Sequence, residues 1–307
     1  MSDNIEMQDT ENTSESINWI EEAIFKKHLK FYEYKKFSNF QQISVGSIGK
    51  VYRANYDKNL EKQFAIKSFF NFNNITLKEI IRELKIQRLN DLRDNIMYCH
   101  GITKFESENH DNYNYMLVME CADGGNLRDY LKNNFDKLTW NDKYIMAFQL
   151  ASAVSCLHNE GIVHHDLHSG NVLVHQNKIK LADFGLSKRI RTSSNYDRHN
   201  VSLILEISNG LRETIVPDTP EEYVTIYTKC WDCKQDNRPT IYQVIDLLNG
   251  IIDQQFPTNQ ESQGELSKLI HYFNKINIIE TDPIAVSNER EKASFEKVSK
   301  AESYGIF

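Results

Sequence analysis

Ile162-Val163-His164-His165-Asp166-Leu167-His168-Ser169-Gly170-Asn171-Val172-Leu173-Val174, followed by Lys180-Leu181-Ala182-Asp183-Phe184-Gly185, is the stretch on which the reading of this chain turns. Taken alone, it is an acidic loop followed by a turn that begins at Asp183. What stands upstream of it, and in what order, decides whether it carries chemistry.

Upstream lies Ile43-Ser44-Val45-Gly46-Ser47-Ile48-Gly49-Lys50-Val51. A glycine-containing turn between strands lets backbone amides approach phosphate oxygens without a Cβ in the way. An ordinary hairpin with two glycines reads the same way. Short runs between Phe40 and Phe70, among them Gln63-Phe64-Ala65-Ile66-Lys67, predict hairpin-connected strands. Thr76 and Glu79 have the spacing of a capping box ahead of Leu77, Ile80, Ile81 and Leu84, which predicts a helix that also carries Glu83. A fixed cation such as Lys67 can hold phosphates, and a helical carboxylate such as Glu83 can hold the cation. A surface lysine and a solvated glutamate are the bland alternative for any such pair.

Further along, Tyr115 to Met119 reads as a strand, and Ile145, Phe148, Ala151, Val154 and Leu157 keep helical spacing through residues 140–158. Thr219-Pro220-Glu221-Glu222 predicts a helix start with a cap residue and proline in the first position. Thr240 to Gln243 repeats the capping-box spacing, and Gly250 is read as the terminator of that last helix.

Taken in this order, the elements resemble the eukaryotic protein kinase superfamily, in the style of its tyrosine-kinase-like serine/threonine branch. The resemblance covers residues 38–197 and again about 201–252. It implies an α+β, bilobal protein-kinase-like fold, with a β-rich N-lobe holding one main helix and a truncated, mostly α-helical C-lobe. The expected organisation is a disordered leader over 1–16, an amphipathic helix over 17–37 and a kinase-like domain over 38–252. Its N-lobe would span 38–122 and its C-lobe 123–252, with a polar tail over 253–307.

Residue by residue, the resemblance implies that Asp166 accepts or orients the proton of a substrate hydroxyl. Asn171 and Asp183 would ligate Mg2+, a hard cation suited to oxygen donors. Lys67, paired with Glu83, would hold the phosphates of ATP. Ser44, Gly46 and Gly49 line the phosphate loop. Val51 and Ala65 would cover the adenine from above and Leu173 from below. Met119 precedes a hinge of Glu120, Cys121 and Ala122. ATP and Mg2+ are the implied cofactors, and a protein serine or threonine the implied acceptor.

The chain departs from the pattern in the C-lobe. Only 55 positions separate Asp183 from Arg238, about half the family interval. No Ala-Pro-Glu stands between them, and the deletion is placed near 198–201. Losing a buried helix there would leave the helix at 140–158 exposed or repacked, and Arg238 unpaired or newly paired. His165 replaces the usual arginine before Asp166, and His168 stands where many serine/threonine kinases carry lysine. Ser187, Thr192, Ser193, Ser194 and Tyr196 resemble an activation-segment cluster, or a plain polar loop.

Composition bounds the rest. A net charge of -7 over 307 residues offers no basic field for nucleic acid, and no apolar run approaches the roughly 18 residues that span a bilayer. Five scattered cysteines argue for reduced thiols and a cytoplasmic setting, with the nucleus open; Cys230 and Cys233 read as packing residues rather than zinc ligands. Three readings stand at this point. The chain is a protein kinase, a nucleotide-binding pseudokinase or interaction module, or an incomplete kinase fragment.

Overall fold

The computed structural model describes residues 13–46, 49–57, 59–70, 74–86, 95–106, 113–185, 187–189, 210 and 212–255. The join near 198–201, the polar residues Thr192 to Tyr196 and the tail beyond 255 lie outside the described residues. The architecture is α+β and bilobal, with a β-rich unit and a mostly helical, shortened one. Residues 1–133 with 164–187 form the first unit, and 134–163 with 188–307 the second.

The first unit is built on a six-stranded sheet. Its strands are β1 (Phe31–Tyr32), β2 (Phe37–Val45), β3 (Gly49–Tyr56), β4 (Asn59–Phe69), β5 (Cys99–Glu106) and β6 (Tyr113–Glu120), in the spatial order β1-β5-β6-β4-β3-β2. Only β1 runs parallel to its neighbour; the other pairs are antiparallel. Alternation along β4 and β6 sorts side chains onto two faces. Ala65, Tyr115, Leu117 and Met119 join one buried cluster, whereas Phe64, Ile66, Met116 and Val118 join another with Tyr32, Phe37 and Ala54.

Two helices, α1 (Thr13–Phe25) and α2 (Asn74–Ile86), contribute to the first of these clusters through Ile20 and through Leu77, Ile80, Ile81 and Leu84. α1 begins inside the segment read as a leader and ends at Phe25, well short of residue 37; β1 and a 3-10 turn over Tyr34–Lys36 take up the remainder. α2 runs from Asn74 to Ile86, so Thr76 and Glu79, both buried, sit inside the helix past its first residue. α3 (Leu127–Asn134) follows the hinge.

The second unit is organised by α4 (Trp140–Asn159), whose start is closed by a capping box between Thr139 and Asp142. Ten of its residues are buried, on most sides of the helix. α4 is therefore repacked rather than left open. Part of that cover comes from α5 (Glu221–Cys230), where Tyr223 packs tilted against Trp140 and edge-on against Tyr144 and leads along the helix to Tyr227 and Trp231. Further cover comes from α6 (Ile241–Gln255), which buries Ile241, Val244, Ile245, Leu248, Ile251 and Ile252 at helical spacing.

Two helix ends differ from expectation. Pro220 is the N-cap of α5 rather than its first residue, and the Thr219 hydroxyl donates to the Val216 carbonyl. Gly250 lies within α6, because the apolar Ile251 and Ile252 beyond it are still being buried. The box at Thr240 and Gln243 is formed in both directions. Arg238 is newly paired, its Nε donating to the Asp232 carbonyl at 2.8 Å. Cys230 is half-buried on α5, where burial pushes its thiol up to about 11; Cys233 is exposed.

The chain between α4 and residue 190 supplies β7 (Ile162–Val163), β8 (Val172–His175), β9 (Lys178–Leu181) and β10 (Lys188–Arg189). β8 and β9 form an antiparallel hairpin that frames the loop carrying Asp166 and Asn171.

Candidate active site

The site is assembled within the β-rich unit, from strands β3 and β4, helix α2, the hinge and the loops on either side of the β8–β9 hairpin. Ser44 pairs with Val51 and Val51 with Lys67 across the sheet, so the glycine turn and the lysine strand are held in register. The Gly46 amide donates to the Gly49 carbonyl at 2.9 Å. Gly49 is required by close approach, since a Cβ there would lie 1.9 Å from the Ser68 carbonyl oxygen.

Six residues expected around the base come together in one apolar cluster. Ala65 and Met119 are buried in it, and Val51, Cys121, Ala122 and Leu173 pack against it. Glu120 belongs to the hinge, but its side chain turns to other work. Its Oε2 accepts from Lys180 Nζ at 2.8 Å and from the Tyr98 amide at 3.3 Å, and its Oε1 lies 3.3 Å from His175 Nε2. Lys180 and His175 sit on the hairpin that carries Leu173, so these contacts tie the hinge to that hairpin.

Lys67 is buried, and its Nζ lies 2.7 Å from Asp183 Oδ1. The expected direct pair with Glu83 is not what the structure forms. Glu83 Oε2 accepts the Phe184 amide at 2.8 Å, while its buried Oε1 has no hydrogen-bond partner among the described residues. The reason is geometric. Asp183 adopts φ 66, a left-handed conformation uncommon for a non-glycine residue, and this directs its carboxylate to the lysine.

Electrostatics follow from this arrangement. Burial opposes the Lys67 charge, but the Glu83 and Asp183 carboxylates outweigh it and hold the lysine above its usual pKa. Burial likewise works against ionised Asp183, but Lys67 wins and keeps it below the usual carboxylate value. Glu83 goes the other way, pushed by burial up to about 7 in spite of Lys67. Glu79 is also raised by burial, and one of its oxygens, Oε2, lacks a partner among the described residues.

Asp166 and Asn171 form a second constellation. Asn171 Nδ2 donates to the Asp166 carbonyl at 2.9 Å and to Asp166 Oδ2 at 3.0 Å. The Ala182 amide donates to the Asn171 carbonyl, which links this loop to the turn at Asp183. His164 reinforces the link. The Asp166 amide points at its Nδ1, placing the ring proton on Nε2, which faces the Ala182 carbonyl at 3.0 Å. His168 Nδ1 accepts the Gly170 amide, and its Nε2 stands 3.7 Å from Asp166 Oδ2.

These donors suit magnesium with nucleotide phosphates. The amide nitrogen of Asn171 is engaged, leaving its oxygen for a cation, and Asp183 supplies a carboxylate. Among the described residues no group of three or more His, Cys, Asp or Glu is arranged to hold a metal. Magnesium does not need one, since it commonly takes one or two protein oxygens and completes its shell with phosphates and water.

Reading from sequence missed several contributors. Glu79, Arg82 and Glu83 share one side of α2, as their spacing allows, and Arg82 donates to the Gly185 carbonyl at 2.8 Å. Glu79 was assigned to a cap, although its spacing from Glu83 already placed both on one face. Asn95, whose side-chain amide donates to the Ile179 carbonyl, Lys180 and His175 had no local signal at all.

Residues 37–204, more than half of the chain, match the family described as protein tyrosine and serine/threonine kinase. The chain belongs to this family. Its curated relatives are distant. Over 266 residues it is 26% identical to a serine/threonine-protein kinase/receptor of Acanthamoeba polyphaga mimivirus, a match covering 70% of the chain and 15% of the relative. A LIM domain-containing serine/threonine-protein kinase of Dictyostelium discoideum is 27% identical over 255 residues, covering 68% of the chain and 38% of the relative. The RGS domain-containing serine/threonine-protein kinase A of the same organism is 26% identical over 280 residues, covering 75% and 24%. The chain thus spans well under half the length of the relatives it matches.

Proposed function

We propose that this kinase-family chain transfers the γ-phosphoryl group of ATP to a serine or threonine hydroxyl of a protein. The observation that carries the reading is the linked pair of constellations in one unit: Asp166 locked by Asn171, and Asp183 bonded to Lys67. The names of the relatives agree with it.

In this reading Asp166 orients the acceptor hydroxyl and takes its proton as the oxygen bonds to phosphorus and the bond to the β-phosphate oxygen breaks, leaving ADP. Asn171 fixes the Asp166 carboxylate through Oδ2, which leaves Oδ1 for the hydroxyl. Lys67 steadies the α and β phosphates. Asn171 and Asp183 hold magnesium, which when bound neutralises phosphate charge. Val51, Ala65 and Leu173 enclose the adenine, and the hinge from Met119 to Ala122 lies beside it. Among the described residues no helix is long and apolar enough to cross a membrane. The proposed setting is the cytoplasm or nucleus, and the proposed partners are ATP and a protein acceptor.

A specific observation favours a second reading, an ATP-binding module without turnover. The segment between Asp183 and Arg238 is short, and in kinases that region cradles the residues around the acceptor. The test is phosphate transfer from ATP and magnesium to the chain itself or to a generic protein, for the wild type and Asp166→Asn. Transfer that the substitution abolishes, with ATP-dependent thermal stabilisation retained, supports the enzyme. Stabilisation without transfer in the wild type supports the binding module. Ligand at about a hundred times its dissociation constant adds about 2.7 kcal/mol, a shift of several degrees.

A further inference from the structure

The family match begins at residue 37, so α1 and β1 lie outside it. Yet they are built into the β-rich unit as firmly as the matched strands. Ile20 is 0% exposed, Ser16 and Ala23 are buried, and Ile17, Trp19, Ile24 and Leu29 pack against the cluster that contains Leu77, Ile80, Ile81 and Leu84 of α2. Polar contacts fix the helix in the same place. Glu21 accepts from Lys104 Nζ at 3.1 Å and from the Tyr115 hydroxyl, and Lys85 of α2 stands over the Trp19 ring at 5.6 Å.

The return of the chain is equally specified. At the end of α1 the His28 and Leu29 amides both donate to the Ala23 carbonyl, around Lys27 at φ 56. That turn delivers Lys30 to β5, where its carbonyl accepts the Ile102 amide at 2.9 Å and β1 begins its parallel pairing. A Cβ on Gly101 would lie 2.1 Å from the Lys30 carbonyl oxygen, so β5 carries a socket that only glycine provides.

What α1 braces is the helix that holds the site together. α2 carries Glu83, which captures the Phe184 amide beside Asp183, and Arg82, which captures the Gly185 carbonyl. A helix of 13 residues is marginal on its own, and its position is set by what it packs against.

We propose that the α1–β1 strap is an intramolecular clamp on α2, with Ile20 and Glu21 as positioning residues that hold Glu83 and Arg82 on the turn at Asp183. Its effect on rate rests on the phosphotransfer reading above; its effect on the turn does not.

The experiment uses the full chain with Ile20→Ala, the conservative Ile20→Val, and Phe25→Ser as a control at a position 87% exposed. Hydrogen exchange is measured by peptide, with phosphotransfer in parallel. For Ile20→Ala, exchange across α2 and at the peptide carrying Phe184 accelerates roughly tenfold or more while α4 and α6 keep their protection. The kcat falls by a similar factor and the KM for ATP moves by less than about twofold. Ile20→Val recovers most of both, and Phe25→Ser changes neither. Loosening confined to α1, with α2 and Phe184 protected as in the wild type, overturns the proposal. If Ile20→Ala does not fold, Glu21→Gln gives the same readout with a smaller effect, and wild-type protection of α2 and Phe184 in that variant overturns it. A wild type that transfers no phosphate sinks the functional reading alone, because exchange still decides the clamp.

Discussion

Replacing Lys67 by Met keeps a flexible apolar stem in the core and removes one charge from among three carboxylates. Lys67 is 8% exposed, its Nζ is 2.7 Å from Asp183, and Glu83 and Glu79 add to the field around it. Breaking a buried ion pair by deleting one partner costs about 3–5 kcal/mol, because the other charge is left uncompensated. The Asp183 side chain is 36% exposed, so water replaces part of the lost pairing and the cost falls near the low end, about 3 kcal/mol. For a unit of this size that lowers its melting transition by about 6–12 °C. The loss depends on pH. Without Lys67 the folded-state carboxylates have pKa values above those of the unfolded chain, so they bind protons on folding and the variant regains stability as pH falls through those values. Calorimetry at pH 8 and pH 5.5 should show a large deficit at the higher pH and a smaller one at the lower. A drop of under about 2 °C, or the same deficit at both pH values, would refute the reasoning.

Two further substitutions probe the same unit. Gly49→Ala places a Cβ 1.9 Å from the Ser68 carbonyl and should cost about 1–3 kcal/mol in a urea melt, whereas Gly46→Ala meets nothing closer than 3.9 Å among the described residues and should cost little. Glu83→Gln isolates a pH effect. Between its usual 4.5 and about 7 the folded chain holds the Glu83 proton and the unfolded chain does not, so wild-type stability falls as pH rises through that window. The wild-type minus variant difference should decline by on the order of 3 kcal/mol across it. His158, lowered to about 4 by burial, tilts both proteins the other way below pH 6.5 and cancels in the difference. Parallel titration curves for the two proteins would show that Glu83 is not the group responsible.

What could be read locally was read well where the chemistry is local. The capping box at Thr240 and Gln243 spans three residues and forms as its spacing dictates. Gly250 was misread because a helix ends where burial ends, and Ile251 and Ile252 are still inside. Thr76 and Glu79 have capping-box spacing but sit beyond the start of α2, so a local pattern was overruled by where the helix had to begin to bury Leu77 and Ile80.

The amino-acid order alone carried the α+β, bilobal class through its resemblance to the kinase family, since the elements around Gly46, Lys67, Asp166 and Asp183 on which that resemblance rests are properties of short segments. Tertiary structure alone decided who pairs with whom. Lys67 meets Asp183 across 116 positions, Glu83 meets the Phe184 amide across 101, and Glu21 meets Lys104 across 83. The resemblance pairs Lys67 with Glu83, and nothing in the spacing along the chain marks Asp183 as the carboxylate that the lysine meets. In the fold Lys67 meets Asp183, which sits at φ 66, and Glu83 meets the Phe184 amide. Both arise only when distant segments are packed together and an unpaired charge or amide has become costly.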